Sequence, residues 1–319
     1  MGRHLGFDAL GRDSGSGEWK TVAWNGVCFE APADWEPARI GRRHLMLEAA
    51  PGPVMEIKWA AVTGRFSDRS QLRTLGGRVT RRGAAFRKTA LPEDWRAAVK
   101  GFDAQGFQWD AGDERAMGAL LYCRGCRTAS LVQFLERPAA ASIARDAVRV
   151  LASLRDHRSD DRVAWALYDI AALLPARFTL DRHRFDAGRF VVEFKGPGRR
   201  LTLYRWAPAE VLLQNRSLAD FAGAVAGDTR LRFRPLAGVA HPAVEGCPPP
   251  PAGPVGRLRL RLGMTWFCRL RLWHVASRNR ILGMRLEGRR PIDGLEMQTV
   301  SEGYAMAGER PFGLGADPQ

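Results

Sequence analysis

The chain has 319 residues, 45% hydrophobic and 26% charged, which is the composition of a folded globular protein and excludes the disordered and fibrous classes. Forty-nine basic residues against 34 acidic ones give a net charge of +15, which either a polyanionic partner or an arginine-favouring codon bias would explain. No apolar run reaches the ~18 residues of a membrane span, and MGRHLGFDALGRDSGSGEWK lacks the apolar core and cleavage site of a secretory signal, so the expected compartment is the cytoplasm.

In chain order, residues 1–19 read as an N-terminal extension and 20–155 as a first domain. GVCFEAPADW (26–35) predicts a strand, a turn at Pro32 and an aromatic anchor at Trp35. HLMLEA (44–49) and MEIKWA (55–60) predict two more strands, separated by Gly/Pro punctuation and ended by Trp59. A helix is expected from Ser70, kept short by Gly76 and Gly77, then a long loop through Pro92. FQW, ALLYC and TASLVQFLE predict antiparallel strands, and Ile143, Ala147, Val150, Leu151 and Leu154 share one face of a closing helix. Residues 156–163 read as a polar linker.

The stretch 164–306 repeats this pattern. DIAALLPARF (169–178) sets Pro175 on Pro32 and Phe178 on Trp35; RFVVEF (189–194) follows HLMLEA; LTLYRW (201–206) sets Trp206 on Trp59. Ser217 and Asp220 have the capping-box spacing ahead of LADFAGAV. The tract HPAVEGCPPPPAGP reads as a loop whose four prolines, 248–251, predict extended polyproline-like chain. RLRLRL, FCRLRLWH and RILGMRLEG read as strands, and IDGLEMQTVSEGYAMA as the closing helix. Overlaying GALLYC on RLRLWH puts His274 at the position of Cys123. The expected fold class is α+β, two tandem copies of an antiparallel sheet domain flanked by helices, with 307–319 as a C-terminal tail.

The start Phe29-x-x-Pro32-x-x-Trp35, the two strands after it and the helix following Arg69-Ser70 resemble the Mog1/PsbP-like fold. That resemblance implies an antiparallel sheet flanked by helices. Families with this fold include small binding proteins, photosystem accessory subunits and secretion-effector chaperones, so it also implies a non-enzymatic adaptor; no functional residue carries over.

Two features bear on chemistry. Cys123 and Cys126 flank a tight Arg-Gly turn between strands, and two thiolates so placed supply half of a tetrahedral zinc site. No second CxxC exists, and Cys268 and His274 are the complement the overlay offers. A thiol redox role needs the pair at a helix N-terminus, whereas the flanking sequence reads as strand. The expectation is two thiols at a hairpin turn with an incomplete ligand shell and no cofactor; zinc, or a thiol- or metal-dependent enzyme, is the alternative. In RLRLRL, Arg257, Arg259 and Arg261 alternate with leucines, and Arg269 and Arg271 do so in the next strand. Such a face, if wet, would track the phosphates of a nucleic acid.

No HExxH, GxSxG, Walker A or strand-borne GxGxxG sequence is present. The resulting expectation is a non-enzymatic tandem-domain binding, adaptor or chaperone-like protein with a protein partner. The alternative is a nucleic-acid-associated protein that uses the arginine face.

Overall fold

Alternation of apolar and polar residues writes most of this chain as strand. In a computed structural model describing residues 18–50, 52–136, 143–157, 161–227, 231–249, 253–254 and 265–309, 51% is strand and 21% helix, a sheet-rich version of the expected α+β class. The chain divides into two units: Met1–Asp160 with Ala164–Tyr168, and Asp161–Val163 with Asp169–Gln319.

The first unit opens on a hairpin of β1 (Trp19–Trp24) and β2 (Val27–Pro32). Its two turn residues, Asn25 and Gly26, have φ of 44° and 100°, the sign a two-residue hairpin loop requires. There follow β3 (Glu36–Gly41), β4 (His44–Ala49), β5 (Gly52–Ala61), α1 (Asp68–Thr80), β6 (Ala85–Thr89), α2 (Glu93–Ala98), β7 (Asp103–Ala111), β8 (Glu114–Tyr122), β9 (Thr128–Glu136) and α3 (Ile143–Ser153). A further strand, β10 (Arg162–Leu167), pairs Ala166 with Ala23 of β1. The seven strands β3-β4-β5-β9-β8-β7-β6 form one antiparallel sheet. On one face Leu72 of α1 packs against Phe107, Leu120 and Leu131. On the other, Phe134 meets Trp35 and Trp95, with ring centroids 6.5 and 5.3 Å away. The closing helix buries Ala147, Val150 and Leu151 as its periodicity predicts, with Leu154 buried just beyond its end.

The second unit begins with β11 (Ile170–Pro175), β12 (Thr179–Asp186), β13 (Arg189–Gly196), β14 (Arg199–Trp206), α4 (Ala209–Leu213) and α5 (Leu218–Ala226). It continues with β15 (Arg232–Leu236), β16 (Ala243–Cys247), β17 (Phe267–Val275), β18 (Arg280–Gly288), α6 (Gly294–Ser301) and β19 (Tyr304–Met306), which pairs with β11. Its seven-stranded sheet runs β12-β13-β14-β18-β17-β16-β15, the same succession as in the first unit. Phe221 and Ala222 of α5 pack against Trp206, Leu270, Leu272 and Ile281 on one face. On the other, Tyr304 packs edge-on to Trp273 and its hydroxyl donates to the Tyr204 carbonyl at 2.9 Å.

Several expectations are corrected. Helix α1 begins at Asp68, two residues before Ser70, is capped by Ser67, and runs through both glycines. Gly76 belongs there because a Cβ would lie 2.7 Å from the Phe86 ring. The loop expected after Pro92 contains α2, and HPAVEGC contains β16. Of the four prolines, Pro250 and Pro251 lie outside the described residues. Trp59 and Trp206 occupy corresponding strands but opposite faces. Trp59 shares the side of Met55 and Ile57, whereas Trp206 stands edge-on to Phe221 of α5, 5.3 Å away. A one-residue slip inverts every side chain of a strand. The true counterpart of Trp59 is therefore Arg205: the Trp59 indole N–H donates to the Asn25 carbonyl in the first hairpin turn, and Arg205 pairs with Asp169 in the turn between β10 and β11.

Candidate metal centre

The β8–β9 turn carries Cys123 to Arg127. The Cys123 N–H donates to the Thr128 carbonyl at 2.9 Å, and Arg127 closes the turn at φ 57°. The segment after α3 arrives at this turn already fixed. Arg155 exchanges both backbone hydrogen bonds with Cys28 of β2, each 2.8 Å, and Leu154 is fully buried. Residues 155–157, expected to join or abut the linker, are thereby held against the first unit's hairpin, which aims Asp156 and His157 at the turn.

The result is a four-residue group. Donor atoms of Cys123, Cys126, Asp156 and His157 all lie within 4.8 Å of one another. Cys123 Sγ is 3.7 Å from His157 Nδ1, the Cys126 thiol donates to Asp156 Oδ2 at 3.1 Å, and His157 Nδ1 is 2.7 Å from Asp156 Oδ1. The Asp156 side chain is 3% exposed and that of His157 52%, so the group sits just beneath the surface with the imidazole as its outer wall. Gly125 lies beside the group: a Cβ there would make only ordinary contacts, 3.8 Å from Cys123 Sγ and 3.9 Å from the ring. Burial pushes the Cys126 thiol up to about 11. Two sulfurs, one imidazole nitrogen and one carboxylate oxygen make a mixed donor set suited to a borderline-soft cation.

Sequence reasoning found the two cysteines and expected an incomplete shell. The two further residues of the group, Asp156 and His157, lie adjacent in a stretch read as linker. The only signal was an acid next to a histidine directly after an amphipathic helix. Cys268 and His274 are not members of the group. Their strand belongs to the second unit, where the turn between β17 and β18 spans residues 276–279 and closes at Asn279 with φ 53°. Matching this turn to the first unit's pairs Cys123 with Val275 and Cys126 with Arg278.

The expected wet arginine face is corrected at its two described residues, Arg269 and Arg271. Arg257, Arg259 and Arg261 lie outside the described residues. Arg271 is buried and Arg269 nearly so, because β17 is an interior strand covered on both sides. Glu245 of β16 stands directly opposite Arg271 in the ladder. It accepts from Arg271 at 2.6 and 3.0 Å and from Arg269 at 3.5 Å. The remaining Arg271 nitrogen donates to Ser301 at 2.6 Å and Gln298 at 2.8 Å on α6. In β17 the alternation holds, but there Arg269 and Arg271 face Glu245, and Arg271 braces α6.

No family model matches the chain, and no curated protein matches it. A crystal structure of a Bacteroides thetaiotaomicron protein is similar over 48% of this chain and 52% of that one, at 13% identity and a TM-score of 0.29; the match thus spans about half of that protein's length. Among the described residues, no helix is long and apolar enough to cross a membrane.

Proposed function

We propose that the chain is a non-enzymatic binding protein of adaptor or chaperone-like type, built from two tandem copies of one sheet-rich fold similar to the Mog1/PsbP-like one, and that it takes a protein partner in the cytoplasm. The observation that carries the non-enzymatic part is at His157. Cys123 and Asp156 both approach the same ring nitrogen, Nδ1. A thiol triad needs the carboxylate on one nitrogen to orient the ring while the other takes the thiol proton. With both groups on one nitrogen the ring cannot relay a proton between them, so the metal-ligating cluster found among the described residues converges on a point within itself. The tandem reading is supported by the common strand succession, by the positive-φ residues Arg127 and Asn279 closing matched turns, and by the equivalent reach of Trp59 and Arg205.

A thiol-directed chloroacetamide probe tests the carrying observation on the full chain. Cys123 and Cys126 should react no faster than cysteines of the denatured protein. Acceleration beyond ~100-fold, the lower range of base catalysis, with its loss in His157→Ala, would establish a nucleophilic enzyme instead. In-cell cross-linking followed by mass spectrometry should recover a protein partner in stoichiometric yield; recovery of nucleic acid alone would reverse the choice of partner.

A further inference from the structure

We propose that Cys123, Cys126, Asp156 and His157 form a closed, structural zinc site that locks the β8–β9 turn to the segment following α3. The proposal is independent of the binding role.

The donor set selects the ion. Calcium and magnesium take oxygen ligands, and two thiols exclude them here. A tetrahedral shell of two sulfurs with nitrogen and oxygen is characteristic of zinc. Its bond lengths, ~2.3 Å to sulfur and ~2.0–2.1 Å to nitrogen or oxygen, place donors roughly 3.3–3.8 Å apart. The 3.7 Å between Cys123 Sγ and His157 Nδ1 is such an edge, and the 3.1 Å from Cys126 Sγ to Asp156 Oδ2 falls a few tenths short of one. The 2.7 Å between His157 Nδ1 and Asp156 Oδ1 is shorter still, so binding requires the Asp156 and His157 side chains to turn apart. The backbone that would have to move otherwise is held on both sides, by the Cys123–Thr128 hydrogen bond and by the Arg155–Cys28 pair.

The same geometry sets the role. Catalytic zinc keeps one coordination position for water or substrate; here the protein supplies all four. The metal would bridge residues 30 or more apart in sequence, fastening a turn of the sheet to the chain that leaves the closing helix. The second unit fastens the matching turn without thiols. There the Ser277 hydroxyl donates to Glu309 at 2.8 Å, and Arg278 and His241 flank the same carboxylate at 3.4 and 3.9 Å. Two corners of one topology thus carry two kinds of tie, an ion pair in one and a metal in the other, and the stoichiometry should be one zinc per chain.

The test is elemental analysis of the full chain purified under reducing conditions with zinc supplied, alongside Cys126→Ser, Asp156→Asn and, as a control in the other corner, Ser277→Ala. Wild type and Ser277→Ala should hold about one zinc per chain. Cys126→Ser should hold almost none, and Asp156→Asn should bind at least ~10-fold more weakly in a chelator competition. Should Cys126→Ser fail to fold, cobalt(II) replacement in wild type decides: the intense absorption of a tetrahedral thiolate site, unmoved by azide, is expected. Absence of metal together with a weak octahedral cobalt spectrum would overturn the site. So would a spectrum that persists in Cys126→Ser, or a Cys123–Cys126 disulfide found by mass in the reduced preparation. A spectrum displaced by azide would overturn the closed shell.

Discussion

Glu245 and Arg271 show how one residue pair decides what an arginine-rich strand is for. Both are nearly inaccessible to solvent, and a buried charge persists only when its partner and hydrogen bonds are in place. Arg271 spends its donors on Glu245, Gln298 and Ser301, tying β16, β17 and α6 at one point. Glu245→Ala leaves two buried or nearly buried guanidinium groups without their common counter-charge, so it should cost about 3–5 kcal/mol. The joint replacement Glu245→Gln with Arg271→Met removes both charges and should cost far less. Urea unfolding of the three proteins checks this. Equal losses in the single and double variants would mean that packing, not charge, holds this corner.

At the scale of elements, α5 has the local signals most completely written. Ser217 accepts from the Asp220 N–H at 3.1 Å, and the Asp220 carboxylate accepts in return from the Ser217 N–H at 3.0 Å and its hydroxyl at 2.6 Å. Ser217→Ala should cost about 1 kcal/mol. The Ser217 hydrogen bonds hold the Asp220 carboxyl below its ordinary value. Its contribution is therefore present in full above the unfolded carboxyl value near ~3.9, and is lost as pH falls through the lower folded one. The stability gap between wild type and Asp220→Asn, measured by denaturant titration, should persist at neutral pH and close at strongly acid pH; a gap that widens on acidification would reverse the assignment. Such local grammar explains what the sequence made legible: the capping box, the α3 face and the individual strands all depend on residues a few positions apart. The strand faces did not follow. The overlay of Trp59 on Trp206 matched identities, while the ladder matches Trp59 with Arg205, and only cross-strand register separates the two. Asp156 and His157 were hidden for the same reason, since the Arg155–Cys28 pair that aims them joins positions far apart in the chain. In β17 the expected wet arginine face failed because alternation tells which residues share a side, and not what covers that side.

For the whole molecule, the question is what the +15 charge does. Several arginines in the described residues sit on carboxylates: Arg124 on Asp103, Arg149 on Glu30, Arg182 on Glu193 and Arg199 on Glu296. The acids number 34 against 49 bases, so a surplus remains even though these cations have structural partners. Net positive charge by itself attracts any polyanion at low salt and selects none, because nonspecific contacts weaken as added salt opposes counterion release. Binding to mixed single-stranded nucleic acid should accordingly be seen at ~50 mM salt, where the Debye length is longer, and should weaken to Kd values of ~1 μM or above at physiological salt. Arg271→Gln should lower the unfolding midpoint without changing the salt dependence, since Arg271 is turned into the unit and not toward a ligand. The decisive contrast is Arg269→Gln. If nanomolar binding survives at ~0.15 M salt, is weakened by Arg269→Gln, and leaves the unfolding midpoint where it was, then the strand is a nucleic-acid surface despite Glu245, and the adaptor reading gives way to it.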